Sequence, residues 1–327
     1  MNKSSKKILV TGCAGFASRT CQMLLDQGMD LVGVDNLNDY YDVSLKHHRL
    51  DQLNSYETFT FRQLDIESTQ GVNDLFNEFE FDTVINLAAR AGVRYSMENP
   101  MVYMTTNAVG VLNLLEALKK VGGKKFILAS TSSLYAGLPM PFEESLPVNT
   151  PISPYAASKK SAEAMAYTYH HLYGIDVSIL RYFTVYGPAD RPDMAIHRFI
   201  QWIDQEVPIT LYGDGSQSRD FTFVDDIAAG TVAAMKPLGF EILNLGGGEH
   251  PISIMEVIEK LEKLIGKKSI IDQKPNHKAD MKSTWANIEK AEKILHWKPK
   301  TSIDDGLKRC VQWYQENLPW SSQIKLD

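Results

Sequence analysis

KKILVTGCAGFASRT, residues 6–20, is the stretch whose reading decides the fold. A run that is apolar on both faces ends at Gly12, and Gly15 follows before residues with helical spacing. A strand buried on both faces belongs to a parallel sheet, because crossover helices cover both of its sides. Glycines at the strand end let the backbone approach a pyrophosphate. The helix expected from near Phe16 would present unpaired N–H groups and its positive dipole end to the same anion. Two glycines after a strand also describe a plain turn, so this stretch settles the sheet and leaves its ligand open.

The same pattern recurs in DLVGVD (30–35), FTFRQLD (59–65), FDTVINLA (81–88), KKFILAS (124–130) and DVSILRY (176–182), with helical segments between. This predicts an α/β fold, a doubly wound parallel sheet built from residues 1–186, to which the chain returns around 222–247. A helix is expected from about Tyr155 to Tyr173, with Met165, Tyr169 and Leu172 as its apolar stripe and Gly174 as its stop. Beyond Gly187 the pattern is less regular and predicts a smaller C-terminal α/β lobe, 187–327, closing over the strand ends where open sheets bind ligands. Ser302, followed three positions later by Asp305, marks a helix start in that lobe.

The 327 residues are 44% hydrophobic and 23% charged with a net charge of -6, the composition of a globular protein and not of a nucleic-acid binder. Cys13, Cys21 and Cys310 form no CxxC pair, and none of the eight histidines has metal-site spacing, so neither a disulfide framework nor a metal is expected. The basic start MNKSSKK runs directly into ILVTG, and no stretch approaches the ~18 apolar residues of a membrane helix, so the expectation is a cytoplasmic protein without a membrane partner.

Asp35, ending the second strand 23 residues after Gly12, stands where a ribose diol would be held. The following NLNDYYD (36–42) offers no arginine for a 2′-phosphate, which favours NAD over NADP. A second pair lies in SPYAASKK (153–160), where Tyr155 and Lys159 share one helical face. A phenol of ordinary pKa ~10 is a poor base at neutral pH, and a fixed cation beside it favours the phenolate. Packing of the tyrosine beside a solvated lysine is the bland alternative. Location decides, because ASTSS (129–133) brings hydroxyls to the same carboxyl edge of the sheet.

VDNLNDYYD (34–42), NLAARAGVRYSMENP (86–100), ASTSSLYAG (129–137), SPYAASKK, RYFTVYGPADRPDMA (181–195) and GDGSQSRDFTFVDDIAAG (213–230), with a looser match in ADMKSTWANI (279–288), carry a resemblance. The chain resembles the extended short-chain dehydrogenases/reductases of the sugar-nucleotide epimerase and dehydratase group, and within it the UDP-glucuronate 4-epimerases. The resemblance implies a Rossmann sheet, NAD as cofactor, a UDP-sugar as substrate, epimerisation at C4 through a transient 4-keto sugar, and a homodimer.

By the same resemblance Tyr155 would be the general base, Lys159 would hold the nicotinamide ribose, and Thr131 would hydrogen-bond the sugar 4-hydroxyl. Gly12, Gly15, Phe16, Ala17, Asp35, Asn36, Asp65, Ile66, Leu87, Ala88, Ala89 and Tyr182 would bind the cofactor, with Asn107 at a helix bend near it. Ser132, Ser133, Thr184 and Asp280 would face the substrate, Arg94 and Arg219 its diphosphate, and Arg191 its carboxylate. Related dehydratases and decarboxylases carry carboxylic acids after the threonine, whereas this chain has Ser132 and Ser133, which favours epimerisation. The third glycine of the family's loop is missing. Ala17 and Ser18 stand there instead, and the loop reads one residue short. Epimerisation of another UDP-sugar, decarboxylation of UDP-glucuronate and non-catalytic NAD binding remain the alternatives.

Overall fold

The computed structural model describes residues 7–248, 251–275 and 281–326. Its first half runs β1 (Lys7–Thr11), α1 (Ser18–Leu25), β2 (Leu31–Asp35), α2 (Val43–Leu53), β3 (Phe59–Gln63), α3 (Thr69–Glu78), β4 (Phe81–Asn86), α4 (Val93–Glu98), α5 (Pro100–Met104), α6 (Gly110–Lys120), β5 (Lys125–Thr131), α7 (Pro154–Tyr173) and β6 (Asp176–Tyr182). These six strands and Phe240–Leu245 form a seven-stranded, all-parallel sheet, ordered Phe240–Leu245, β6, β5, β4, β1, β2, β3. The order reverses between β1 and β4, and the connections leaving those two strands part there to open a crevice at their carboxyl ends.

Alternation along each strand feeds two core layers. Leu9, Val32, Val84, Phe126 and Ile179 face α3, α6 and α7, while Val10, Ile85, Ile127 and Leu180 face the layer that holds Leu24, Leu50 and Ile227. Both faces are covered, which is why these strands read as unbroken apolar runs. The smaller lobe has its own core, in which helices Ala195–Asp204, Ile254–Ile265 and Ile303–Glu316 bring together Phe199, Ile203, Val257, Leu261, Leu307 and Val311. Ser302 caps the last of these helices by accepting the Asp305 N–H, as its spacing predicts.

Helix α1 begins at Ser18, near Phe16 as expected, after turns over residues 12–17. Two local expectations are corrected. Leu172 is 59% exposed, since α7 outruns the core in its last turn and Ala162, Ala166 and Tyr169 form the buried face. The continuous run Pro100–Lys120 does reach 21 residues with membrane-like apolarity. It is apolar because Val111, Leu114, Leu115 and Leu118 on its inner side belong to the core.

Candidate active site

A groove of about 990 Å³ crosses the carboxyl ends of the strands beneath the smaller lobe. At its first end Gly12 has φ +73°, and a Cβ there would stand 2.8 Å from the Ala88 nitrogen, so only glycine lets the β1 and β4 loops pass this closely. Thr11 closes the same junction: its hydroxyl donates to Asn86 Oδ1 at 2.6 Å and accepts the Leu87 and Ala88 N–H groups. Asp35 takes the Leu37 N–H at 2.9 Å, and Asn36 donates to Asp65 Oδ2 at 2.8 Å, placing two carboxylates and Ile66 along one wall. A bare-backbone loop, a helix N-terminus and an acidic strand end in one groove fit a dinucleotide.

The β5 end and α7 form the centre. Ser153 caps α7, accepting the Ala156 N–H at 3.2 Å, and Pro154 opens its first turn, so Tyr155 and Lys159 enter the groove on successive turns. The Tyr155 hydroxyl hydrogen-bonds Thr131. Thr131 Oγ1 also accepts the Ser133 N–H at 3.1 Å, which fixes its rotamer. Lys159 Nζ donates to the Ala129 carbonyl at 2.9 Å. Burial pushes the Tyr155 hydroxyl above its ordinary value, with the Thr131 hydrogen bond and then the Arg191 charge pulling it back in part. This differs from the expectation that Lys159 acts directly on the phenol. Lys159 turns to a strand carbonyl, and the cation Tyr155 feels across the groove is Arg191.

Burial lowers Lys159 to about 8, against the attraction of Glu163. Between that value and ~10.4 the unfolded chain binds the proton that the native state has released, so this group's contribution makes stability rise with pH in that window. Below pH 8 the buried ammonium carries its full desolvation penalty. Lys159→Met is expected to abolish this rise, measured as Tm from pH 7.5 to 10.5. A slope equal to the parent's would reject the assignment.

From the smaller lobe Arg191 and Arg219 enter the groove, as do Ser132, Ser133, Tyr182, Thr184 and Arg94 from the sheet side. Arg191 holds Asp193 bidentately through one edge of its fork, Nε to Oδ1 at 3.0 Å and Nη2 to Oδ2 at 2.5 Å, and lies 5.5 Å from the Tyr40 ring centre. Arg94 stacks at 4.1 Å on the ring of Tyr212 in the opposite lobe. Gly15, Phe16, Leu87, Ala88 and Ala89 all line the groove. Two expected cofactor residues do not: Ala17 is buried in the core, and Asn107 lies under the floor in a π-helical turn, holding the Arg90 backbone and Ser158. Asp280 lies outside the described residues.

Sequence reasoning missed Lys46, which is 3% exposed with Nζ 3.6 Å from Asp35 Oδ1, and Tyr40, flanked by Arg90 and Arg191. The available signal was the spacing of Lys46, Arg49 and Leu50 on one face of α2, all buried. Among the described residues no cluster of His, Cys, Asp or Glu could hold a metal, and the three cysteines are free and buried.

A doubly wound sheet whose crevice receives a Tyr-x-x-x-Lys helix and a hydroxyl-rich strand end is the architecture of a short-chain dehydrogenase/reductase. A family model described as GDP-mannose 4,6 dehydratase matches residues 9–310. The chain is 58% identical over 319 residues to a UDP-glucuronate 4-epimerase of Thermodesulfobacterium geofontis, covering 97% of this chain and 99% of the relative. A Bacillus cereus UDP-glucuronic acid 4-epimerase, solved with UDP-glucuronic acid and NAD, superposes with a TM-score of 0.89 at 39% identity, covering 95% and 99% of the two chains. A Thermotoga maritima UDP-glucose 4-epimerase, solved with UDP-glucose, gives 0.87 at 30% identity with the same coverage. The chain belongs to the NAD-dependent sugar-nucleotide epimerase and dehydratase family of extended short-chain dehydrogenases/reductases.

Proposed function

We propose that this protein is an NAD-dependent UDP-sugar 4-epimerase that interconverts UDP-glucuronate and UDP-galacturonate. The observation that carries the reading is the paired hydroxyls of Tyr155 and Thr131 at the sheet edge, backed by Lys159 and followed by Ser132 and Ser133 where acids would be needed for elimination. Bound NAD supplies hydride acceptance from C4 and hydride return. Tyr155 takes the C4 hydroxyl proton and gives it back, and Thr131 orients both oxygens. A 4-keto sugar that turned over in the groove would present its other face for the hydride return, which would give the C4 epimer. Residues 1–186 with the return at 222–247 serve the cofactor, and 187–327 serve the nucleotide sugar.

A 4-keto sugar bearing a C5 carboxylate is a β-keto acid and loses carbon dioxide readily. Retaining that carboxylate needs a grip that holds it out of alignment for C–C cleavage. Arg191 lines the groove and can supply the grip by exchanging the Asp193 carboxylate, which its fork holds in this structure, for that of the substrate. Arg191→Ala is therefore expected to raise the pentose-to-epimer ratio about tenfold or more, read by proton NMR. An unchanged ratio would remove Arg191 from this role.

The assignment itself is tested by incubating purified protein with UDP-glucuronate and, in parallel, UDP-glucose. Galacturonate from the first, with little turnover of the second, is the expected result. Turnover of UDP-glucose alone would move the protein to the other branch of its family. We also propose a homodimer through α5–α7, where Met101, Tyr167, Leu172 and Tyr173 are each at least half exposed on neighbouring helices.

A further inference from the structure

Arg49 sits on α2, away from every stretch that the sequence ties to chemistry, yet its side chain is 3% exposed. Nη1 donates to the Ala14 carbonyl at 2.7 Å and to the Tyr41 hydroxyl at 2.9 Å, and Nη2 donates to the Ala189 carbonyl at 2.5 Å. Ala14 lies in the glycine loop between Gly12 and Gly15. Ala189 lies two residues before Arg191 and has φ +51°, a left-handed conformation that alanine adopts only when its surroundings impose it. One guanidinium thus joins the loop at the cofactor end of the groove to the loop that carries Arg191.

The chemistry of the contact explains why an arginine is used. Its partners are two carbonyls and a phenol, and among the described residues it makes no salt bridge, so the buried charge is compensated chiefly by these hydrogen bonds, with the Tyr41 ring and the more distant Asp190 carboxyl adding to them. Two nitrogens of a planar fork reach two carbonyls in fixed directions, which a lysine ammonium, a point charge on a flexible stem, does not reproduce. Tyr41 braces the fork from the side, its ring centre 5.7 Å from the guanidinium carbon.

We propose that Arg49 is a positioning residue that couples the two ends of the groove, so that dinucleotide binding at the glycine loop organises the 189–191 loop for the nucleotide sugar. The proposal rests on the function proposed above. A ligand that orders the Ala14 carbonyl also orders the guanidinium and, through it, Ala189, so the ordering cost is incurred once for two ligands. Such a coupling is reciprocal: the sugar nucleotide must tighten NAD by the same factor.

Isothermal titration of UDP into NAD-saturated and NAD-depleted protein measures that factor without turnover. The parent protein is expected to bind UDP on the order of tenfold more tightly when NAD is present. Arg49→Met should bring the ratio close to one, and Arg49→Lys should do the same, because charge without the fork does not bridge. Tyr41→Phe, which removes only a hydroxyl and keeps the ring, should lower the ratio in part, and it decides the matter if Arg49→Met does not fold. A parent ratio near one, or a full ratio in Arg49→Lys, overturns the proposal. So does a full ratio in Tyr41→Phe where Arg49→Met does not fold. If both ligands bind and Arg49→Met keeps the parent ratio, the coupling role alone fails. If neither ligand binds, the proposed function fails and takes this inference with it.

Discussion

Tyr155→Phe is expected to lower UDP-glucuronate turnover by about 10³-fold, within the range of a lost general acid–base group, while NAD and UDP affinities stay within a few-fold. The substitution removes one oxygen and nothing else. Thr131 keeps the Ser133 N–H, and the ring keeps its edge-on contact with Tyr103 at 6.0 Å. Because burial raises the phenol above its ordinary value, the work of ionising it falls to the Thr131 hydrogen bond and the Arg191 charge that the site supplies, together with bound cofactor. Steady-state rates beside isothermal titration of NAD and UDP check the split. Turnover within tenfold of the parent would place the proton transfer elsewhere.

Glu163→Gln is expected to be strongly destabilising while leaving the groove lining intact. Glu163 lies one turn beyond Lys159 on α7 and accepts Arg181 Nε at 2.9 Å and Nη2 at 2.8 Å, with Ser130 Oγ on the same carboxylate at 2.6 Å. The pair is buried, at 3% and 1% exposure, and Arg181 Nη1 continues to the Tyr135 hydroxyl at 2.7 Å, which reaches Asn244 at 2.8 Å. Removing one charge strands the other, at a cost of about 3–5 kcal/mol. That corresponds to a Tm lower by on the order of 10 °C. The same change removes the attraction that holds Lys159 up, so the Lys159 pKa should fall below about 8. Calorimetry and the pH dependence of stability read the two effects separately. Glu163→Gln with Arg181→Met should recover part of the stability, because no buried charge is then left unpaired. A loss below about 1 kcal/mol in the single variant would mean that water reaches the pair.

Glu163 was passed over at the level of sequence, as Lys46 and Arg49 were despite their spacing with Leu50. A charged residue on an amphipathic helix reads as solvated until the element packed against it is known. Here β6 carries Arg181 to α7, and the smaller lobe carries Ala189 to α2. Asp35, Tyr155 and Lys159 were legible because each is defined by local geometry: a strand end after a glycine turn, and two positions one helical turn apart. Arg191 was half legible. Its neighbours placed it in a loop of the smaller lobe, and only the fold shows its fork closed on Asp193 and its charge reaching Tyr155.

Short-range chemistry settled the sheet, its doubly wound order of elements, the glycine turn and the Tyr-Lys helical face. Each of these follows from side-chain periodicity and backbone freedom within a few residues. Long-range packing settled which charges are buried, which carbonyls they serve and which way the Tyr155 pKa moves. Desolvation and hydrogen-bond partners belong to segments brought together from opposite ends of the chain, and no local pattern encodes them.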